Sequence, residues 1–223
     1  MSENAYKAGL AAFQNTFAQE TAAWGSKTPR AAGRANSKED RNWWLDNGSR
    51  MVFAYYNWRQ THKNLEIWHT PDGVPAIELQ CNVTLPDGTL LKAFIDRVFV
   101  DTVTGDLLIV DLKSGKNSPG SALQLATYRL CLEIMFGVSP RHGSYWMARS
   151  GNLDTIYDLD QIPPKAVSRW LRDARKAIEL QLFVPKVSKD CSWCGVKEFC
   201  YTQNPALPQP DFDSDLITSL ENG

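Results

Sequence analysis

Asp96, Asp111 and Lys113 are of the types that hold a divalent cation and set an ammonium beside it. Two carboxylates supply hard oxygen ligands suited to Mg²⁺ or Mn²⁺, and a lysine can neutralise charge that develops on a reacting group. An acid two places before a lysine is expected about once by chance in a chain of this composition, so the Asp111–Lys113 pair carries no weight by itself. Its context does. Leu107-Leu108-Ile109-Val110 is apolar on both faces, as in a central strand, and ends at Asp111. Two-residue spacing puts Asp111 and Lys113 on one face of that strand. Burying such charges is costly, and either a salt bridge or a bound cation offsets the cost. Asp96 falls among Phe94, Ile95, Val98 and Phe99 in the preceding segment. Two carboxylates that face each other repel unless a cation or a proton intervenes.

The elements that must position these residues are legible in the patterning. Residues 77–84 alternate apolar and polar with period two, the mark of a half-buried strand. Pro86-Asp87-Gly88 is a hairpin turn, Leu90 to Val100 the return strand, Thr102 to Asp106 a second turn and Leu107 to Lys113 a third strand. With Gly88 in the left-handed position the loop has three residues, pairing Leu85 with Thr89 and, counting back, Glu78 with Asp96. That register makes Glu78 a third ligand candidate, alongside the main-chain carbonyl of Leu112. A symmetric two-residue loop would put Glu78 opposite Arg97, on the other face. After a loop at 114–120, residues 121–136 read as a helix closed by Gly137. Gln124 and Tyr128, four apart, share one face of it.

Elsewhere, helices are expected over 3–24, 40–60 and 163–182, and strands over 143–149 and 153–159. The whole is an α/β (α+β) pattern, a mixed sheet of about four or five strands flanked by helices. The expected organisation is an N-terminal helix and basic loop (1–42), a core (43–190), a cysteine cluster (191–203) and a disordered acidic tail (204–223).

Asp96, then Asp111-Leu112-Lys113, then Gln124-x3-Tyr128 resembles the PD-(D/E)XK nuclease superfamily in its RecB-like branch, and is most similar to CRISPR-associated and phage-encoded RecB-like exonucleases. The resemblance runs from about residue 40 to 201 and implies a restriction-endonuclease-like core. By position it makes Asp96 and Asp111 metal ligands, Lys113 the catalytic lysine, and Gln124 and Tyr128 the motif that follows the core. That branch usually carries a metal-binding histidine after a glycine on the helix before the first strand. Here Gly48-Ser49-Arg50-Met51-Val52 has none, so either Glu78 supplies the ligand or the metal is held less tightly. His62 and His69 lie nearby in the wrong context.

Cys191-x2-Cys194-x5-Cys200 has the spacing of thiolates that chelate one soft metal centre. The resemblance implies a [4Fe–4S] cluster that staples the chain ends, with zinc as the alternative. The fourth cysteine of those relatives precedes the core, and no cysteine here precedes Cys81. Cys81 is therefore either the fourth ligand or a buried small residue between Leu79 and Val83.

The chain has 223 residues, a net charge of −1 and 43% hydrophobic content. Any basic surface must be local. Two segments qualify: a loop with Arg30, Arg34, Lys38 and Arg41, and the helix at 163–182 with Lys165, Arg169, Arg172, Arg175 and Lys176, of which Arg169, Arg172 and Lys176 are the expected DNA contacts. Eight tryptophans are many for this length. The run Trp43-Trp44…Tyr55-Tyr56-Asn57-Trp58 is either core packing or a base-stacking platform. No run suits a membrane span or a signal peptide, so the chain reads as cytoplasmic, in a bacterium or a phage-infected cell. The expectation is a metal-dependent DNA nuclease, an exonuclease serving recombination, repair or phage replication, acting on ends or single strands and alongside a recombination or replication protein. The alternative is a catalytically weak or inactive nucleic-acid-binding protein with the same fold and metal centre.

Overall fold

The apolar segment Leu107–Lys113 lies inside the sheet of the computed structural model, which describes residues 2–22, 39–182 and 185–207. The chain forms two compact units, Met1–Lys176 and Ala177–Gly223. Arg30, Arg34, Lys38 and the acidic tail beyond residue 207 lie outside the described residues.

The described helices are α1 (Glu3–Thr21), α2 (Arg41–Thr61), α3 (Leu123–Phe136) and α4 (Pro164–Glu179). The strands are β1 (Leu65–Ile67), β2 (Ile77–Thr84), β3 (Leu90–Asp101), β4 (Leu107–Lys113), β5 (His142–Met147), β6 (Asn152–Leu153) and β7 (Tyr157–Asp158). They form one mixed sheet in the order β1-β3-β4-β5-β6, with β2 also on β3 and β7 also on β5. Strand β4 runs antiparallel to β3 and parallel to β5, and α3 makes the crossover that a parallel pair needs. One face buries Leu79, Cys81, Ile95, Ile109 and Tyr145 under Leu125, Tyr128 and Leu132 of α3. The other buries Phe99, Val110 and Trp146 under Trp58 and Tyr55 of α2. Helix α4 packs Val167 and Leu171 against Leu130 of α3 and Leu85 of the hairpin. This is the expected mixed sheet flanked by helices, with β1 added and the expected 153–159 strand divided into β6 and β7.

Two of the differences have clear causes. The segment 153–159 is not one strand. Leu153 pairs with Trp146 and Tyr157 with Gly143, so three residues (154–156) face two (144–145) and the register slips by one. Ser144 Oγ donates to the carbonyls of Asp154 (3.3 Å) and Thr155 (3.0 Å), satisfying the bulge from within. Strand β1 escapes sequence reading because three residues are too few to show alternation.

The hairpin turn has the three-residue form. Leu85 N–H donates to Thr89 O at 2.8 Å, and Gly88 takes φ +81°. A second slip follows farther along. Leu79, Cys81 and Val83 on β2 and Leu91, Ala93 and Ile95 on β3 alternate toward the α3 face, but the next residues on that face are Ala76 and Val98, three positions away instead of two. Glu78 sits at the slip with φ +49°, a left-handed conformation uncommon outside glycine.

Helices α1 and α2 meet at Gly48, where a Cβ would lie 2.1 Å from Phe13 Cζ. Gly48→Ala sets a helix-propensity gain of about 1 kcal/mol against an overpacking cost of about 1–3 kcal/mol. The substitution should therefore lower the melting temperature, and in a Phe13→Ala background it should raise it. Thermal denaturation of the four proteins in that cycle decides the point.

Candidate active site

The registers place Glu78, Asp96, Asp111 and Tyr145 in one row across β2, β3, β4 and β5. The β3–β4 ladder ends at Arg97 opposite Val110, and Asp96 opposite Asp111 is the next position. Glu78 falls opposite Asp96, between Leu79–Ile95 and Ile77–Arg97, and Asp111 pairs with Tyr145. Where β3 and β4 part, the Asp96 carboxylate takes over a backbone partner, with Oδ2 accepting from Leu112 N–H at 2.7 Å. The face slip is what turns Asp96 this way. Unbroken alternation from Leu91 would have set Arg97 on the α3 face instead.

Asp111 is 2% exposed, yet it carries a carboxylate. Its Oδ1 accepts from Gln124 Nε2 (2.9 Å) and Tyr128 Oη (3.1 Å). Gln124 also donates to Tyr128 Oη (2.8 Å), while its Oε1 accepts from Lys113 Nζ (3.0 Å). The side-chain amide therefore has one orientation: oxygen to the ammonium, nitrogen to the carboxylate. Lys113 Nζ lies 2.6 Å from Asp111 Oδ2 but out of hydrogen-bond alignment, so Oδ2 is a buried carboxylate oxygen with no hydrogen-bond donor. An oxygen held by an ion pair alone, beside a second carboxylate, fits a hard divalent cation.

The Asp96 carboxyl is pushed above the ordinary carboxylate range, first by burial and then by the neighbouring Asp111 and Glu78 charges, against the pull of the Leu112 N–H. A cation between Asp96 and Asp111 would reverse that balance. Glu78 occupies the row, but its side chain is 64% exposed and its Oε1 lies 3.5 Å from Arg97 Nη1. Among the described residues no three His, Cys, Asp or Glu side chains converge on one point. Mg²⁺ does not require three, since it is commonly held by one or two carboxylates, waters and substrate phosphates. Burial drives the Tyr128 hydroxyl far up, and at 7% exposure the ring is closed to base stacking. It acts instead as a neutral donor to Asp111.

The histidines have other partners. His62 stacks on Trp58 at 4.8 Å, and His69 Nδ1 contacts the Ile67 carbonyl. Arg41, the described member of the basic loop, donates to Thr21 Oγ1 at 2.8 Å and so ties α2 to α1. Arg169, Arg172 and Lys176 are exposed on α4. Arg169 and Arg172 line a cleft of about 600 Å³ with Lys165 and Pro86. Arg175 turns back to the hairpin, reaching Asp87 O at 3.2 Å. The aromatic run divides. Trp58 is core, whereas Trp43 and Trp44 carry the Arg149 guanidinium over their rings at 4.8 and 5.3 Å.

Arg149 belongs to a cluster that sequence reasoning missed. Its Nε donates to the carbonyl of Ser114, the residue after Lys113, and its two Nη atoms hold Glu39 at 3.1 and 3.0 Å. Lys116 adds a contact to Glu39 at 2.8 Å. These cations hold the Glu39 carboxyl below its usual range and pin the loop that leaves the site. Partners so far apart in the chain leave no local signal.

In the second unit, Cys191 lies in a 3₁₀ turn (Lys189–Trp193), and Cys200 follows another (Lys197–Phe199). Ser188 N–H points to Cys191 Sγ at 3.4 Å, and Thr202 Oγ1 lies 3.1 Å from Cys200 Sγ. The Thr202 hydroxyl, with backbone donors, lowers the Cys200 thiol pKa, which favours thiolate chemistry. Cys81 is fully buried in the core of the first unit, its thiol in contact with Cys131.

The sequence model of the PD-(D/E)XK nuclease superfamily matches residues 4–201. The Gene 69 protein of Mycobacterium phage D29 is 32% identical over 199 residues, covering 84% of this chain and 72% of that protein.

Proposed function

Because the chain belongs to the PD-(D/E)XK nuclease superfamily, whose fold implies metal-dependent nuclease activity, we propose that it is a deoxyribonuclease acting on DNA ends or single strands. The observation that carries this reading is the buried Asp111 carboxylate, set beside Asp96, bonded to Gln124 and Tyr128, and touched by Lys113. A buried charge with that many dedicated partners costs more to keep than an apolar strand end would. It makes sense where charge must be held for a reaction.

Asp96 and Asp111 would hold Mg²⁺ or Mn²⁺, aided by the main-chain carbonyl of Leu112, and the cation would supply Lewis acidity at the scissile phosphate. The chain's own residues do the rest. Lys113 holds one aligned hydrogen bond, to Gln124, leaving donors for a phosphate oxygen or the attacking water. Gln124 fixes both ends of the Asp111–Lys113 pair. Tyr128 keeps Asp111 Oδ1 occupied, so that Oδ2 faces the cation. Arg169, Arg172 and Lys176 are the proposed phosphate contacts away from the centre. Glu78 is placed to adjust the charge at Asp96, or to become a further ligand if Arg97 releases it.

Cys191, Cys194 and Cys200 are assigned to a structural metal centre, an iron–sulfur cluster before zinc, on their spacing, although among the described residues their side chains do not converge on one point. The phage source of the Gene 69 protein supports a setting in a phage-infected cell, where recombination, repair or replication of DNA is the role proposed here.

The test is cleavage of end-labelled and circular DNA by anaerobically purified full-length protein with Mg²⁺ or Mn²⁺. Loss of label from linear but not circular DNA is expected. Binding without cleavage under either metal would instead establish an inactive nucleic-acid-binding protein. Absorbance near ~400 nm identifies iron–sulfur, whereas a colourless protein with stoichiometric zinc excludes it.

A further inference from the structure

A cleft of about 420 Å³ lies against α1, α2 and the ends of β4 and β5, walled by Tyr6, Met51, Tyr55 and Trp146 and lined also by Arg97 and Lys113. Tyr6 stacks on Tyr56 at 4.9 Å and meets Phe53 edge-on at 5.6 Å, with Phe53 48% exposed. An aromatic surface thus runs outward from the cleft along α1 and α2. We propose that this cleft receives an unpaired nucleobase of the substrate strand, so that an unstacked base beside the scissile phosphate is what the site selects.

Three observations fix the occupant. Lys113 lines the cleft from the end of β4, while its ammonium joins the Asp111–Gln124 network on the α3 side of the same strand end, so a strand seated in the cleft passes the strand end that carries the network. Aromatic and apolar walls suit the π-face that every base presents, and each such stack contributes to binding without regard to sequence. Arg97 and Lys113 match the phosphates that flank a base. The volume falls in the range of small-ligand pockets, about 300–1,000 Å³. A base paired inside a duplex could not enter, which gives a physical reason for a preference for ends and single strands. The inference rests on the nuclease reading, whose own test is cleavage.

Gly9 supplies a clean probe. It also lines the cleft, and a Cβ added there meets nothing within 4 Å, so Gly9→Leu can start into open space toward the cleft and improves the propensity of α1. The experiment measures binding of single-stranded oligonucleotides to the full-length protein in Ca²⁺. Each position near the end is in turn normal or abasic, and wild type is compared with Gly9→Leu and Tyr6→Ala. At one position, removing the base should weaken wild-type binding about tenfold, a typical stacking effect. Both variants should bind the normal strand about tenfold more weakly than wild type does and the abasic strand equally well. 2-Aminopurine at that position should change its fluorescence on binding to wild type only. Melting temperatures no lower than wild type for Gly9→Leu confirm intact folding. Equal binding of normal and abasic strands at every position overturns the proposal, as does a variant effect that ignores the base. Because Ca²⁺ binding is read without cleavage, the cleft can fail while the nuclease reading stands, and the reverse.

Discussion

Asp96→Asn should abolish cleavage and at the same time raise the melting temperature of the metal-free protein at neutral pH. The Asp96 carboxyl is held above its ordinary range by burial and by its acidic neighbours. An acid with a raised folded-state pKa keeps its proton in the native state over a window in which the unfolded chain has already released it. Stability therefore falls as pH rises from the ordinary carboxylate value, about 4, through the raised value. Asparagine removes that penalty and can still accept the Leu112 N–H. The stability gain should vanish below about pH 4, where both states of the wild-type acid are protonated. Losing a ligand carboxylate should lower the cleavage rate by at least about 10²-fold. Mn²⁺ should raise the melting temperature of wild type more than that of the variant. An Asp96→Asn protein that melts lower than wild type at pH 7 would show that the carboxylate is an ordinary structural ion-pair partner.

Lys113→Ala should lower the cleavage rate by about 10²–10³-fold, and Gln124→Ala by a smaller factor. The double variant should be no worse than Lys113→Ala alone. Gln124 holds Lys113 Nζ at 3.0 Å and Asp111 Oδ1 at 2.9 Å, so its contribution to rate passes through the lysine. Residues that act as a unit give non-additive losses. Single-turnover rates for the four proteins on one duplex substrate measure the coupling. Additive losses would mean that Gln124 acts on the substrate directly. Gln124→Glu sharpens the contrast, because a second carboxylate beside Asp111 restores an acceptor for Lys113 but repels Asp111 and leaves Tyr128 Oη without its donor.

What could be read from the sequence was whatever is written in short periods. The alternation of 77–84, the glycine at 88 and the apolar run before Asp111 placed the hairpin, its register and the central strand, and so put Glu78, Asp96 and Asp111 in one row. Gln124 and Tyr128 were legible because helical spacing of four is a local signal. Three things were not. The face slip at Glu78 depends on a backbone conformation that glutamate rarely adopts, so no residue type announced it. The bulge in 154–156 depends on one serine hydroxyl reaching two carbonyls. The Glu39–Arg149–Lys116 cluster joins distant parts of the chain, and in sequence its members are ordinary surface charges. Tyr128 was placed correctly, but its burial, which makes it a donor to Asp111 and not a platform for bases, emerges only from packing.

The slip at Glu78 also sets an order on how the protein can come to be active. A hairpin that zips from Gly88 outward gains one pair at a time, and each pair up to Leu79–Ile95 rewards strict alternation. Carried one step further, the same rule delivers Arg97 to the side of Asp111 and leaves Asp96 behind. The correct row appears only when Ala76 and Val98 are drawn onto the α3 face, and that face does not exist until α3 has docked. The hairpin alone therefore does not specify the site: the pairing of the two carboxylates belongs to the sheet and α3 packed together.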